Sequence, residues 1–146
     1  MACKTFHLDI PVRFEHVDVA GIVFYPRYIE MLNRVIEEWF GASLQCNFSQ
    51  LHFERRLGIP TAHLDVSFIK PSRLDDTLRF NLRLKEIRNS AFVMEHDVVH
   101  GSERRLHVVH SLVFVSLDNL KPVRIPDDFR AKMLGYLVPE HPPDGG

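Results

Sequence analysis

FEHVDVAGIVFYPRYIEMLNRVIEEWF, residues 14–40, decides how the rest of the chain is read. Its second half carries apolar residues at Tyr28, Ile29, Met31, Leu32, Val35, Ile36, Trp39 and Phe40. That i, i+3, i+4, i+7 spacing predicts a helix with one buried stripe. Arg27, Glu30, Asn33, Arg34, Glu37 and Glu38 fill the opposite face. Pro26 suits the first helical position, where its missing N–H costs nothing. Gly41 suits the position just past the C-terminus. Before the helix, Asp18 to Gly21 read as a tight loop.

A helix N-terminus offers unpaired backbone N–H groups and about half a positive charge. It can hold an anion, or an oxygen that becomes one during a reaction. Pro26 has no N–H, so the donor must come from Phe24, Tyr25, Arg27 or Tyr28. Asp18 lies a few residues upstream. Its plain reading is a turn aspartate bonded to local backbone; its functional reading is a carboxylate acting beside an oxyanion donor, as acyl transfer requires. The residues alone leave both open.

Outward from that stretch, residues 4–14 alternate, with Phe6, Leu8, Ile10, Val12 and Phe14 apolar, which predicts a half-buried strand. Pro11 within it implies an edge or a bulge. Residues 42–48 read as a loop, and Ser49 is placed to cap a short helix running to Arg56, ended by Gly58. Residues 59–69 predict a strand with Ala62, Leu64, Val66 and Phe68 on one face and His63, Asp65 and Ser67 on the other. Residues 77–87 alternate cleanly, residues 88–90 make a hairpin turn, and residues 91–100 return. After a turn at Gly101-Ser102, residues 103–117 predict a last long strand. Its end, LVFVSL, is apolar on both sides, as in a strand covered on both faces. Asp127 or Asp128 is placed to cap a C-terminal helix to about Leu137. A strand, a helix and then strands joined by short turns is an α+β pattern, with the helix packed on an antiparallel sheet.

Composition sets the outer limits. The chain has 146 residues, enough for one domain with a real core and short for two. We expect one domain over residues 1–138 and a disordered tail over 139–146. The net charge of −1 and the lack of a Lys/Arg stripe argue against nucleic acid as a partner. No apolar run is long enough to span a bilayer, the N-terminus lacks an apolar leader, and the two cysteines stand alone. A cytoplasmic protein is expected, with no membrane partner. The nine histidines are scattered, so no metal site is expected. There is no G-x-S-x-G elbow, P-loop or G-x-G-x-x-G.

The motif DVAGIVFYPRY, residues 18–28, resembles the signature of the hotdog-fold thioesterases, in particular the 4-hydroxybenzoyl-CoA thioesterase branch. The likeness resumes over residues 60–76 and in SLDNLKPVRIPDDF from Ser116. The resemblance implies a hotdog fold, in which an antiparallel curved sheet of about five strands wraps one long helix. It also implies a homo-oligomer, a dimer or often a tetramer. The activity implied is hydrolysis of an acyl-CoA, with no cofactor beyond the coenzyme A of the substrate. Asp18 would be nucleophile or general base, and the backbone N–H of Tyr25, or a neighbouring amide, would polarise the thioester carbonyl. Gly21, Phe24, Pro26, Pro60, Thr61 and His63 would line the substrate site, with Asp65 beside them; the plain reading of Pro60, Thr61, His63 and Asp65 is a solvent-facing row. Phe24 and Tyr25 are placed to contact the acyl group, and Tyr28 reads as helix core. His16 is expected at the entrance rather than as a partner of Asp18.

Two departures bear on the substrate. Relatives hold the coenzyme A phosphates with basic residues near the hairpin and the C-terminal strands, often from a neighbouring subunit. Here Arg88 matches, whereas Asn89 and Ser90 stand where the aromatic-substrate enzymes carry further positive charge. Lys70, Arg104, Arg105 and Arg124 are the cations left to compensate. Conversely, Tyr25-Pro26, where many relatives carry Tyr-His, makes the chain resemble the aromatic-acyl enzymes more than the short-chain aliphatic ones. Two other functions share parts of this pattern. A non-catalytic acyl-CoA-binding protein would need the same pocket but not Asp18. A hydratase would need an Asp/His motif, which His16 and His63 do not recreate.

Overall fold

Alternation in the N-terminal segment resolves into β1, Phe6–Pro11, with Ile10 buried. The computed structural model describes residues 3–139. A 3₁₀ turn, Phe14–His16, follows β1, and then α1, Pro26–Ala42, with Pro26 in its first turn. The apolar stripe on α1 is buried as its spacing predicts, from Tyr28 through Met31, Leu32, Val35, Ile36 and Trp39 to Phe40. Gly41 lies inside the last turn instead of beyond it. Ser43 stays helical, and the left-handed residue that turns the chain is Gln45, at φ 56°. A π-helical turn, Gln50–Glu54, comes next, and its cap is Asn47 rather than Ser49. Gln50 N–H donates to Asn47 Oδ1 at 2.9 Å, and Asn47 N–H donates to Gln50 Oε1 at 3.0 Å. Both donors are met by one reciprocal pair.

The strands then run β2, Leu57–Gly58; β3, Thr61–Phe68; β4, Thr77–Ile87; β5, Ala91–His100; β6, Glu103–Val113; and β7, Val115–Ser116. The chain ends in α2, Asp127–Met133, and a 3₁₀ turn, Leu134–Tyr136. Pro126 holds the cap position of α2, and Asp128 lies in its first turn, where its carboxylate pairs with Arg55 at 2.8 Å. The tail expected to be disordered lies outside the described residues, apart from Pro139.

Five strands form the main sheet in the order β1-β4-β5-β6-β3, all antiparallel. Pro11 therefore sits on an edge strand, where its missing N–H breaks no inner ladder. Shifts of register at 61/63, 84/86 and 98/99 bend the sheet. One face is largely apolar: Leu78, Phe80, Leu82 and Leu84, then Phe92, Met94 and Val98, then Leu106, Val108 and Leu112, with buried His96 and His110 interrupting the last two rows. α1 packs on that face, giving a mixed α+β fold of curved antiparallel sheet and helix. Trp39 and Phe40, both fully buried, meet Phe92 there. Truncating either to Ala is expected to cost about 3–5 kcal/mol.

Two expectations about the strands need correction. The apolar end of the last strand is not a strand covered on both faces. The ladder of β6 stops at Val113, and Val115–Ser116 leave the sheet to pair with β2. Its residues are buried on both sides because the chain crosses between two sheets. In β3, Leu64 and Val66 are half-buried as expected, but Ala62 and Phe68 are exposed. The bulge at 61/63 displaces Ala62, and Phe68 packs at the far end of the strand on Tyr25 and Tyr28. No described helix is long and apolar enough to cross a membrane.

Candidate active site

Asp18 sits in a loop closed by its own backbone. Its N–H donates to the Ile22 carbonyl at 3.0 Å, and its carbonyl accepts from Gly21 N–H at 2.9 Å. Gly21 has φ +78°, a conformation open to glycine and strained for a side chain. The Asp18 Oδ1 accepts from Ala20 N–H at 2.9 Å, which is the plain turn reading, realised. Oδ2 accepts no hydrogen bond among the described residues, and the side chain is exposed. One carboxylate oxygen of Asp18 builds the loop, and the other has no partner among the described residues.

Of the four candidate N–H donors, three are engaged. Phe24 N–H donates to the His16 carbonyl, Arg27 N–H to Phe24, and Tyr28 N–H to Tyr25. Tyr25 N–H has no partner among the described residues, and Pro26 cannot supply one. His16 makes no bond to the Asp18 side chain; its Nδ1 accepts from Arg13 N–H at 2.8 Å, and its Nε2 lies 3.5 Å from Glu15 Oε1.

The loop rests on a buried guanidinium. Arg105, on β6, is 7% exposed and donates to Asp76 Oδ2 at 2.8 Å, Glu103 Oε1 at 2.8 Å, Ser72 Oγ at 3.0 Å and the Pro71 carbonyl at 3.2 Å. The Ser72 carbonyl in turn accepts from Val23 N–H at 2.9 Å. The chain between Asp18 and α1 is thus tied through Ser72 to the sheet. Burial acts to raise the Asp76 pKa, but the Arg73 N–H and the Arg105 guanidinium outweigh it and hold the carboxyl below its ordinary value. A cleft of about 240 Å³ is lined by Tyr25 with Ile22, Tyr28, Phe68, Ile69 and Pro71; Phe24, exposed, is outside that lining and meets the edge of the Tyr25 ring at 5.6 Å.

The remaining predicted residues are elsewhere. Pro60 and Thr61 line a second cleft, of about 280 Å³, with Asn33, Ile36, Phe48 and His52. His63 and Asp65 are exposed on β3. Thr61 and Phe68, at the two ends of β3, are separated by seven steps of extended chain, about 23 Å. One chain therefore gathers Asp18, Gly21, Phe24, Tyr25 and Pro26 at one end of the sheet and Pro60, Thr61 and His63 at or toward the other. Arg88 is also at the second end, since Ala91 pairs with Val113 and Thr61 with Leu112. Its guanidinium is bound to Glu86 of its own hairpin, at 2.9 and 3.0 Å. The other cations considered are also matched with carboxylates: Lys70 with Glu103, Arg104 with Asp97, Arg124 with Asp127, and Arg105 as above.

Sequence reasoning passed over several residues. Asn33 reads as solvated helix face and Phe48 as loop, and neither carries a signal beyond its type. Arg130 braces the hairpin, donating to the Arg88 and Asn89 carbonyls at 2.8 and 3.0 Å. His110 bonds Thr61 from the core and did leave a trace: it occupies an even position in the row Leu106, Val108, His110, Leu112. Among the described residues no group of three or more His, Cys, Asp or Glu is arranged to hold a metal ion.

A family profile described as the Thioesterase-like superfamily matches residues 12–133. A protein named Acyl-CoA thioesterase YbgC, from Haemophilus influenzae, is 23% identical over 128 residues, covering 86% of this chain and 92% of its own. The 4-hydroxybenzoyl-CoA thioesterase of Pseudomonas sp. strain CBS-3 is 31% identical over 91 residues, 60% of this chain and 62% of that one. Among solved structures, a thioesterase superfamily protein from Jannaschia sp. CCS1 superimposes with a TM-score of 0.86 at 18% identity. That match covers 92% of this chain and 94% of the other.

Proposed function

The chain belongs to the thioesterase-like superfamily and is an enzyme that hydrolyses thioesters, and we propose that its substrate is an acyl-CoA whose acyl group is aromatic, of the 4-hydroxybenzoyl kind, rather than short and aliphatic. The observation that carries the reading is the unpartnered Tyr25 N–H at the start of α1, in the same tied segment as the Asp18 loop. The thioester carbonyl accepts from that N–H, and the helix terminus stabilises the negative charge that grows on its oxygen. Asp18 then acts through its available oxygen by one of two routes. As nucleophile it attacks the carbonyl carbon, thiolate leaves, and water hydrolyses the resulting anhydride. As general base it takes a proton from water, whose hydroxide adds to the carbon before thiolate leaves. Thiolate is a good leaving group, so neither route needs a strong general acid.

Gly21 lets the loop approach the substrate closely, and Phe24, Tyr25 and Phe68 offer aromatic surface for the acyl group. Pro26 keeps the next position free of a competing donor. The residues at the Thr61 end join the site from a second copy. Among the described residues β3 pairs only with β6, so its outer edge is open. Such an edge pairs readily with another strand. Antiparallel pairing of two copies across this edge, about a two-fold axis, sets Thr61 and Pro60 of one beside Phe68 of the other. Each Asp18 then faces a wall from its partner, and Arg88 and its hairpin move within reach of the coenzyme A. The working form is therefore a homo-oligomer, a dimer or a tetramer of such dimers, acting in the cytoplasm without further cofactor.

The test is hydrolysis of a panel of aryl- and alkyl-CoA thioesters, read with a thiol-detecting reagent, beside Asp18→Asn. Aryl thioesters should turn over fastest, and the variant should lose roughly a thousandfold or more in kcat. Absence of turnover with every thioester, while both proteins bind acyl-CoA equally, sinks the catalytic reading and leaves a binding protein.

A further inference from the structure

The hydroxyl of Thr61 is held from behind. Its Oγ1 lies 2.8 Å from Nε2 of His110, a residue of the core row of β6 that is 3% exposed. The other nitrogen, Nδ1, is buried with no partner among the described residues. His96 lies beside it, ring centroid to ring centroid 6.5 Å, with both of its own nitrogens unpartnered. Burial lowers the pKa of His110 to about 4, so at neutral pH the ring is uncharged. A neutral imidazole has one N–H and one lone pair. With the proton on Nδ1, a buried N–H faces no acceptor and Thr61 must donate its own proton to Nε2. With the proton on Nε2, the unmet group is a lone pair and Thr61 Oγ1 accepts. Orphaned buried N–H groups are rarer in folded proteins than under-used acceptors, which favours the second arrangement. It leaves the Thr61 O–H free to donate elsewhere, and Thr61 lines the cleft with Asn33, Phe48 and Pro60.

We propose that His110 is a positioning residue for substrate selection: its Nε2–H fixes Thr61 so that the hydroxyl donates into the cleft, favouring acyl groups that carry an acceptor oxygen over those that do not. The inference deepens the proposed function and rests on it, because it takes the acyl group to reach the Thr61 cleft of the partner copy. A site built to bond such an oxygen discriminates against the analogue that lacks it, here by about tenfold for one neutral hydrogen bond.

Two measurements test it. ¹⁵N NMR of histidine-labelled protein should report the Nε2–H tautomer for His110; the Nδ1–H tautomer overturns the proposal whatever the enzyme hydrolyses. The second is the ratio of kcat/KM for 4-hydroxybenzoyl-CoA over benzoyl-CoA. It should fall about tenfold in Thr61→Val and in His110→Met, with His110→Gln, which keeps an N–H near Nε2, retaining most of it. Variants that lower both substrates in equal proportion, or a wild-type ratio near one, overturn the proposal and leave His110 a core residue. If the wild type hydrolyses alkyl thioesters only, the aromatic part of the proposed function fails, and 6-hydroxyhexanoyl-CoA against hexanoyl-CoA gives the same ratio test. A wild type inert to all four overturns the proposed function, and the inference falls with it.

Discussion

The two ends of β3 are built in opposite ways. At the Phe68 end, the loop around Asp18 is held by backbone hydrogen bonds and by a buried Arg105 that reaches four acceptors. The second carboxylate oxygen of Asp18 and the Tyr25 amide belong to that frame and have no partner among the described residues. At the Thr61 end, the cleft is shaped by side chains, and its polar control is one bond from a core histidine with unmet nitrogens. Reaction geometry tolerates little displacement, so it is suited to backbone. Choice of substrate can be tuned by single side chains, and under the proposed function it falls where side chains make the wall.

The largest effect that this contrast predicts is at Asp18. Asn at that position still accepts from Ala20 N–H, so the loop and the melting temperature should persist while kcat falls roughly a thousandfold or more. A change in stability as large as the loss of rate would mean that Asp18 is a loop residue after all. The proposed division of the site between copies gives the next test. Thr61→Arg should fill the cleft and silence that variant as well. Mixing it with Asp18→Asn under subunit exchange creates heterodimers with one intact site of two, and so restores about a quarter of wild-type activity. No recovery on mixing would place the whole site within one chain.

A third prediction probes the frame. Arg105→Met leaves Asp76 part-buried without its guanidinium and should cost about 3 kcal/mol in denaturant unfolding. It should also raise the pH of acid unfolding. The depressed pKa of Asp76 contributes stability above its unfolded value, near 4, which is lost as pH falls through the folded pKa. If the variant keeps both wild-type stability and activity, the loop does not depend on this clamp.

The helix, the alternation of β4 and the motif around Asp18 were legible because each rests on local spacing or local turn chemistry. Pro11 on an edge strand was legible for the same reason. The end of β6 was misread because burial on both sides has two causes, a covered strand or a crossing between sheets, and a run of apolar letters does not separate them. Ser49 lost the cap to Asn47 because Asn47 and Gln50 satisfy one another, which depends on where the turn begins. The site was half legible. Residues near Asp18 are close in sequence and close in space, whereas the distance between Asp18 and Thr61 depends on sheet order and, in the proposed function, on a second copy. Arg88 drew attention by its charge, yet in the chain it is bound to Glu86.

The smallest predicted effect concerns the cost of the polar core behind Thr61. His96 is fully buried, and its pKa is lowered to about 3 by burial first, with His110 and His107 adding and Asp97 opposing. In the unfolded chain it titrates near 6.5. Between those values the unfolded state binds a proton that the folded state does not, so stability is lost as pH falls from about 6.5 toward 3. His110 adds the same term from 6.5 down to about 4. In His96→Leu one such term disappears, and the slope of unfolding free energy against pH between 6 and 4 should drop by up to about 1.4 kcal/mol per pH unit. At pH 7 the variant should be as stable as the wild type or slightly more so, since it replaces two unmet polar atoms by apolar ones. Thioester turnover should be little changed, because His96 touches neither Thr61 nor the Asp18 loop. A loss of the 4-hydroxybenzoyl preference in His96→Leu would show that the two histidines act on Thr61 as a pair, and would move the control of selectivity deeper into the core.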